Sequence, residues 1–479
     1  MLTVTINKAQ WEYDIHSLVK AFYPEQQVKV ITPESKTAPQ AEEDNTQQID
    51  ILLSGENQVQ MTMPSGRQYE TRLDTDAKNS FKQFLYLSLS EELNKKLPWG
   101  NLTGIRPTKI AMTMLEDGAS EAEIADVFMG QHFASEEKTC LAIDIAKRER
   151  KLLGTLHYRD GYSLYVGIPF CPTTCLYCSF TSYPICRFEK QVDAYLDCLI
   201  REMRETADIM QGKILDTVYI GGGTPTTLTE EQLERLIGSL RGIFDFSTVQ
   251  EFTVEAGRAD SITREKLEVL YRHGVTRISV NPQTMKEETL RLIGRRHTVS
   301  QVKDAFAMAR EIGFDNINMD IILGLPGEDE RDVAETIRQI EELSPDSLTV
   351  HSLAIKRASK LRQYIEENGI STLHNTDATM EIAARGAREM DMKPYYLYRQ
   401  KNMSGNFENV GYAREGKYGI YNILIMEELQ TIAALGAGSI TKRIFEDGRI
   451  ERCDNVKDVA GYIERIEEMI DRKRVLLQG

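Results

Sequence analysis

Cys171, Cys175 and Cys178, in the segment YVGIPFCPTTCLYCSF, are spaced C-x3-C-x2-C just behind an apolar, strand-like run. Three thiolates are one ligand short of a closed metal site: a structural zinc takes four ligands, and an ordinary cubane iron–sulfur cluster takes four cysteines. A [4Fe–4S] cluster held by these three alone would keep one iron open to a further ligand. A zinc site would need a fourth ligand, such as Cys186 or a distant His, and a redox or structural dithiol would need only Cys175 and Cys178. Pro169 and Pro172 frame the loop, and short, unequal spacings of this kind suit a chain that wraps a cluster.

The elements that must position this loop follow from periodicity. From Tyr162 to about Leu353, short apolar runs alternate with amphipathic segments. Strands are expected at Leu164–Ile168, Thr217–Ile220, Glu251–Glu255, Arg277–Asn281, Asn316–Leu323 and Ser347–His351. Helices are expected at Val192–Met210, Glu230–Ile243, Arg264–His273, Val302–Ile312 and Asp329–Leu343. Six strand–helix units imply parallel pairing with right-handed crossovers, hence an α/β fold that is either an open doubly wound sheet or a partial barrel. In both, the active site lies at the carboxyl ends of the strands. The cysteine loop, Gly221-Gly222-Gly223-Thr224, Glu255 and Gln283 all fall at that end, with Asp320 inside the fifth strand.

On either side lie two further regions, giving a division at 1–155, 156–355 and 356–479. The first reads as a small α+β domain, with strands at Leu2–Ile6, Val28–Ile31, Ile49–Leu53 and Gln58–Met63. Its helices are expected at Trp11–Ala21, Thr75–Leu97 and Glu121–Leu153, and the polar stretch Pro33–Gln48 reads as a loop. The last region carries the run Tyr395-Tyr396-Leu397-Tyr398-Arg399-Gln400-Lys401, a glycine loop at Leu435–Gly438, and a terminal helix. The stripe Val456, Val459, Ile463, Ile466, Ile470 would pack that helix on the body.

A net charge of −15 argues against nucleic acid and anionic lipid as partners. The N-terminus has no secretory pattern, and no apolar stretch is long enough to span a membrane, so a cytoplasmic protein is expected. Seven cysteines, three of them in one loop, do not make a paired disulfide framework. Cys140, Cys198 and Cys453 read as small buried apolar side chains.

YVGIPFCPTTCLYCSF, together with GGGTPT, TVEAG, GLPG and GAGSI, resembles the radical S-adenosylmethionine superfamily, and within it the oxygen-independent coproporphyrinogen III oxidase (dehydrogenase) family. PWGNLTGIRPTKI and YRQKNMSGNFENVGYA look like its HemZ-type branch. The resemblance implies a partial (β/α)6 TIM-like barrel at 156–355, with an accessory domain before it and a substrate-capping α+β extension after it. It implies a [4Fe–4S] cluster on Cys171, Cys175 and Cys178 whose open iron chelates S-adenosylmethionine, and one-electron cleavage to methionine and a 5′-deoxyadenosyl radical.

Residue by residue, the resemblance gives Tyr165 and Tyr177 as cofactor contacts beside the cluster loop. It makes Gly222, Gly223 and Thr224 the segment approaching the methionine amino group, where the absence of a Cβ lets the backbone come close. Glu255, Gln283, Arg295 and Asp320 become contacts to the methionyl and ribose parts, and Ala354 a further adenine contact. The implied reaction is oxidative decarboxylation of coproporphyrinogen III propionates to protoporphyrinogen IX, with Arg399, Lys401 or Arg357 as cations for the propionates and a flavodoxin or ferredoxin as electron donor. The family usually has His where this chain has Gly167. Bona fide dehydrogenases have Cys where it has Phe180, a position at which the related haem chaperones also carry Phe, although their HNxxYW signature does not occur here. A haem-binding chaperone, with His351 as axial ligand, and a radical enzyme that modifies or degrades haem are therefore the alternative readings.

Overall fold

In the computed structural model the described residues are all except 36–46, 56, 105, 158–159, 357–358, 370–372 and 400–406. They form two compact units, one of Met1–Lys147 with Tyr398–Glu408 and one of Arg148–Leu397 with Asn409–Gly479.

In the first unit, strict alternation puts Leu2, Val4 and Ile6 of β1 (Leu2–Ile6) on one buried face. With β2 (Val28–Ile31), β3 (Gln47–Ser54), β4 (Gln58–Thr62) and β5 (Gln68–Arg72) it builds a sheet of order β2-β1-β3-β4-β5. β1 pairs parallel with β2 and β3, and β3-β4-β5 is an antiparallel meander. Helices Glu12–Phe22 and Ala77–Leu93 share its core, with Trp11 and Phe81 in ring contact at 4.6 Å. β5 was not expected, because QYETR offers no buried alternate positions. The helix expected to reach Leu97 stops at Leu93, where Asn94 turns left-handed (φ 44°). The one expected over 121–153 is broken into Glu121–Asp126, a π turn at Val127–Gln131, and Glu136–Leu153, with Phe133 at φ 57° between them. Of the expected loop 33–48, residues 36–46 lie outside the described residues, and Gln47 and Gln48 belong to β3.

The second unit is built on β6 (Gly161–Ile168), β9 (Ile214–Gly222), β10 (Glu251–Gly257), β11 (Arg277–Val280), β12 (Ile317–Leu323) and β13 (Ser347–Ser352), with the short pair β7 (Phe170–Cys171) and β8 (Tyr183–Pro184) beside the cysteine loop. The six long strands are parallel neighbours in sequence order. Helices Val192–Ile209, Glu230–Ile243, Arg264–Arg272 and Val299–Ile312 each pack on the next, one continuous outer layer. Sequential parallel order with helices on a single side is the partial-barrel arrangement rather than the doubly wound one. Capping boxes at Thr229/Gln232 and Thr298/Gln301 start two of these helices.

The sheet does not end with the six strands. β14 (Lys393–Tyr398) and β15 (Asn409–Ala413) extend it beyond β13, and β16 (Thr431–Leu435), β17 (Ile440–Ile444) and β18 (Ile450–Asp454) extend it beyond β6, with β16 parallel to β6. Five strands of the region expected as an extension at 356–479 thus share one eleven-stranded sheet with the core. The terminal helix is two, Val459–Glu464 and Ile466–Gln478, with Val459, Ile466 and Ile470 buried but Val456 and Ile463 only half-buried. Cys140 is exposed and Cys198 and Cys453 are half-buried, so none of the three is a core residue. Among the described residues, no helix is long and apolar enough to cross a membrane.

Candidate active site

Strands buried on both faces read as apolar runs, yet in these six nearly every second residue is polar or glycine, Leu215 and Ile322 being exceptions, and the register lines those residues up. Ser163, Tyr165 and Gly167 lie beside Thr217, Tyr219 and Gly221. Glu251 and Thr253 follow on β10, with Thr253 beside Arg277. Ser279 lies beside Asn318, Asn318 beside Ser347, and Asp320 beside Thr349. The intervening Leu164, Val166, Val218, Ile220, Phe252 and Val254 are buried apolar residues. One face is therefore a polar barrel interior and the other the floor for the helices. The deeper interior groups satisfy one another: Thr217 donates to Ser163 (2.8 Å), Ser347 and Thr349 to Asn318 (3.0 and 3.1 Å), and Arg277 to Ser347 (3.2 Å).

Toward the carboxyl ends the groups become chemically active. Tyr219 donates to Glu255 over 2.5 Å, and burial pushes the Glu255 carboxyl up to about 7. Tyr165, Tyr219 and Tyr421 form a stack, with Tyr219 and Tyr421 4.5 Å between centroids. Burial raises the phenol pKa of all three. Asp320 accepts from Asn318 (2.7 Å) and lies 4.0 Å from His351; burial works against its ionisation, but these partners hold it below the ordinary carboxylate value. Gln283 adopts φ 68°, donates its N–H to Asp320 O, and points a buried Oε1 that has no hydrogen-bond partner among the described residues.

The cysteine loop is pinned over this end from several elements. Leu176 N–H donates to Ile293 O (2.9 Å) and its carbonyl accepts from Leu361 N–H (3.0 Å). Leu176 and Tyr177 pack on an apolar cluster of Ile293, Ile322, Leu325, Leu353 and Leu361. The glycine segment approaches from β9: Gly223 N–H donates to Ile168 O, and Thr224 N–H to Phe170 O. A Cβ on Gly223 would stand 2.5 Å from Phe170 O and 3.0 Å from Cys171 Sγ, so only glycine lets this backbone lie against the loop. Gly436 closes the other flank, where a Cβ would meet Gly167 O at 2.4 Å.

The sulfur environments suit a cluster. Thr224 Oγ1 is 3.5 Å from Cys171 Sγ, Arg258 Nη1 3.8 Å from Cys175 Sγ, and Ser182 Oγ 3.8 Å from Cys178 Sγ, so each thiol faces a side-chain donor. Burial pushes the Cys171 thiol up to about 11, so ionising it calls for the positive charge of bound iron.

Each residue singled out in the sequence for the cluster or cofactor is on this end of the second unit. Cys171 and Cys175 are buried and Cys178 half-buried. Arg295 donates to Asn281 O and to Tyr177 OH (3.2 Å) and lies against Cys175. Ala354 is two residues beyond β13. The cations suggested for substrate fare differently. Arg399 is buried in the first unit, donating to Leu102 O beneath the Trp99 ring, and Lys401 and Arg357 lie outside the described residues. Sequence reasoning missed Tyr219 and Tyr421, the Lys356 ammonium 5.7 Å from the exposed Phe180 ring, and Arg258. The period-two polar pattern within the strands would have found Tyr219; nothing local marks Tyr421.

The Radical SAM superfamily description matches residues 165–340. The chain is 40% identical over 414 residues to the oxygen-independent coproporphyrinogen-III oxidase-like protein HemZ of Bacillus subtilis, covering 84% of this chain and 82% of that protein. It is also 40% identical over 195 residues to the haem chaperone HemW of the same organism, covering 40% of this chain and 51% of that one. The solved coproporphyrinogen III oxidase HemN of Escherichia coli shares its fold, with TM-score 0.53 and 23% identity over 67% of this chain and 73% of that one. The superfamily uses a [4Fe–4S] cluster with S-adenosylmethionine, and the three-cysteine loop lies inside the matched residues. The chain therefore belongs to the HemZ-type branch of the oxygen-independent coproporphyrinogen III oxidase-like family of radical S-adenosylmethionine proteins.

Proposed function

We propose that the protein is a radical S-adenosylmethionine oxidoreductase acting on a tetrapyrrole, with oxidative decarboxylation of coproporphyrinogen III propionates to protoporphyrinogen IX as its reaction. The observation that carries this reading is the convergence of the three-cysteine loop with Gly223, Thr224 and Arg295 above an interior that ends in Glu255 and Asp320. When bound, the cluster and S-adenosylmethionine supply a 5′-deoxyadenosyl radical by one-electron cleavage of the sulfonium C–S bond, the electron coming from a reduced flavodoxin or ferredoxin.

The chain's own groups do the rest. Cys171, Cys175 and Cys178 would hold the cluster. Gly222 and Gly223 admit the methionyl group, and Glu255 in its ionised form takes the ammonium. Gln283, through its unpartnered Oε1, and Asp320 accept from the ribose hydroxyls, and Arg295 takes the methionyl carboxylate. Tyr165, Tyr177 and Ala354 line the adenosyl side. Lys356 and Phe180 at the rim hold a propionate and the macrocycle. On the substrate, loss of a hydrogen atom from the propionate β-carbon, then of carbon dioxide and one electron to an external acceptor, leaves each vinyl group.

A haem-binding role is the second reading, favoured by Phe180. Against it, Asn409 and Tyr412 keep the spacing of HNxxYW, but Glu408 stands where that signature has His and Ala413 where it has Trp. Glu408 is buried, accepting from Trp99 Nε1 (2.7 Å) and paired with Lys138 (2.8 Å). Anaerobic incubation of reconstituted protein with reductant, S-adenosylmethionine and, in parallel, coproporphyrinogen III or haem decides among the readings by product mass. Loss of 46 mass units per converted propionate, about the sum of carbon dioxide and two hydrogens, is the expected result. Cofactor cleavage without vinyl product overturns the dehydrogenase reading, a modified haem points to haem chemistry, and a Soret shift with no product points to the chaperone.

A further inference from the structure

Arg258 is the first residue beyond β10, 3% exposed, and it reaches under the cysteine loop. Its Nε and Nη2 are both taken by the carboxylate of Asp260, at 2.9 and 2.7 Å, a bidentate clamp that fixes the guanidinium plane. The remaining nitrogen, Nη1, donates to Thr173 Oγ1 (2.7 Å) and Thr173 O (3.2 Å) and lies 3.8 Å from Cys175 Sγ. Asp260 is backed by the buried His297, with Nδ1 at 3.8 Å. Arg295 also interacts with Cys175. The three ligands are therefore unequal: hydroxyls face Cys171 and Cys178, with the Lys356 ammonium also near Cys178, and Cys175 is the one that meets guanidinium groups.

We propose that Arg258, oriented by Asp260, is a positioning residue that sets the reduction potential of the cluster through the Cys175 sulfur. Donors to ligand sulfur and nearby charge are the means by which a protein tunes such a cluster. Reduction adds one negative charge, and a fixed cation in a buried site stabilises the reduced form more than the oxidised one. Asp260 aims the guanidinium and offsets part of its charge; because Thr173 holds Nη1 in place independently, the loss of the carboxylate charge outweighs the loss of aim, and the two residues act with opposite sign. This inference rests on the cluster of the proposed function and not on its substrate; its measurements need neither S-adenosylmethionine nor a tetrapyrrole.

The test is an anaerobic redox titration of the reconstituted full-length protein followed by EPR, with iron and sulfide counted in every variant. Arg258→Met is expected to lower the midpoint so that, at a fixed solution potential, the ratio of reduced to oxidised cluster falls about tenfold, or about 59 mV for a one-electron couple. Asp260→Asn is expected to shift it upward, and Arg258→Lys to lie between wild type and Arg258→Met. An unchanged potential in Arg258→Met with full iron content overturns the proposal, as does a downward shift in Asp260→Asn. If Arg258→Met fails to hold iron, the sign of the Asp260→Asn shift decides. Loss of iron in both makes the pair a support of the loop and overturns the tuning role.

Discussion

Tyr219 hands a hydrogen bond to Glu255 inside the barrel, 2.5 Å between oxygens, and the partner is a carboxyl that burial has moved from an ordinary 4.5 to about 7. Because the folded protein binds this proton more tightly than the unfolded chain does, ionisation opposes folding. The contribution is fully present below pH 4.5, is lost as pH rises to about 7, and is flat above. Its span is on the order of 3 kcal/mol at most. Glu255→Gln cannot ionise, so the stability of the apoprotein variant relative to wild type should rise across pH 4.5–7, read by urea unfolding at several pH values. A difference that is flat with pH would refute the raised carboxyl.

Gly223→Ala tests the approach of the glycine segment to the loop. Its Cβ would press on Phe170 O and Cys171 Sγ, in the short strand β7 that pairs with β8. Overpacking of this kind costs about 1–3 kcal/mol. Here the strain falls on a cluster ligand, so iron content after reconstitution should drop well below that of wild type while the far-ultraviolet circular dichroism is unchanged. Gly242→Ala, in a helix with open space around it, serves as the control that retains iron.

Lys473 and Glu202 pair at 2.6 Å with both side chains out of water. Glu202 also accepts from Tyr462 OH (2.6 Å), Asn455 Nδ2 (2.7 Å) and the Gly436 N–H (2.8 Å). One carboxylate thus ties the last helix and the glycine loop beside β16 to helix Val192–Ile209. Lys473→Met leaves that charge buried without its cation and should destabilise the protein by about 3–5 kcal/mol. The double variant with Glu202→Gln should recover part of the loss. Chemical denaturation of the two variants measures both, and equal losses in the two would mean that Lys473 acts by packing alone.

The six strands and their helices were legible because each is short, regular and capped locally: the helix at Glu230–Ile243 begins at the Thr229/Gln232 box and ends where expected. The strand-end positions of Glu255, Gln283 and Asp320 follow from the same rule that puts sites at carboxyl ends. What was not legible depends on partners distant in sequence. Arg258 looks like any surface arginine until Asp260 and Thr173 turn it toward Cys175, and Arg399, read as a cation for substrate, is instead buried with Leu102. Gly436 becomes intelligible only once β16 lies beside β6 and brings it against Gly167. Phe133, at φ 57°, breaks a helix whose periodicity had no reason to stop.

Phe180 and Lys356 give the reading of the substrate its most direct test. Phe180 is 72% exposed two residues beyond the last cluster ligand, and the Lys356 ammonium lies 5.7 Å from its ring centroid. Burial lowers the lysine pKa, and Cys178 nearby draws it back up. A macrocycle with propionate arms would use the ring face and the cation together, and a charge-assisted hydrogen bond to a carboxylate is worth about 1.5–3 kcal/mol. Lys356→Gln should therefore raise KM for coproporphyrinogen III by about tenfold or more. The rate of S-adenosylmethionine cleavage without substrate should stay as in wild type, because Lys356 makes none of the proposed cofactor contacts. Lys356→Arg should restore most of the affinity. A Lys356→Gln variant that loses cofactor cleavage and substrate turnover in equal proportion would place the lysine in support of the cluster loop and leave the carboxylate partner elsewhere.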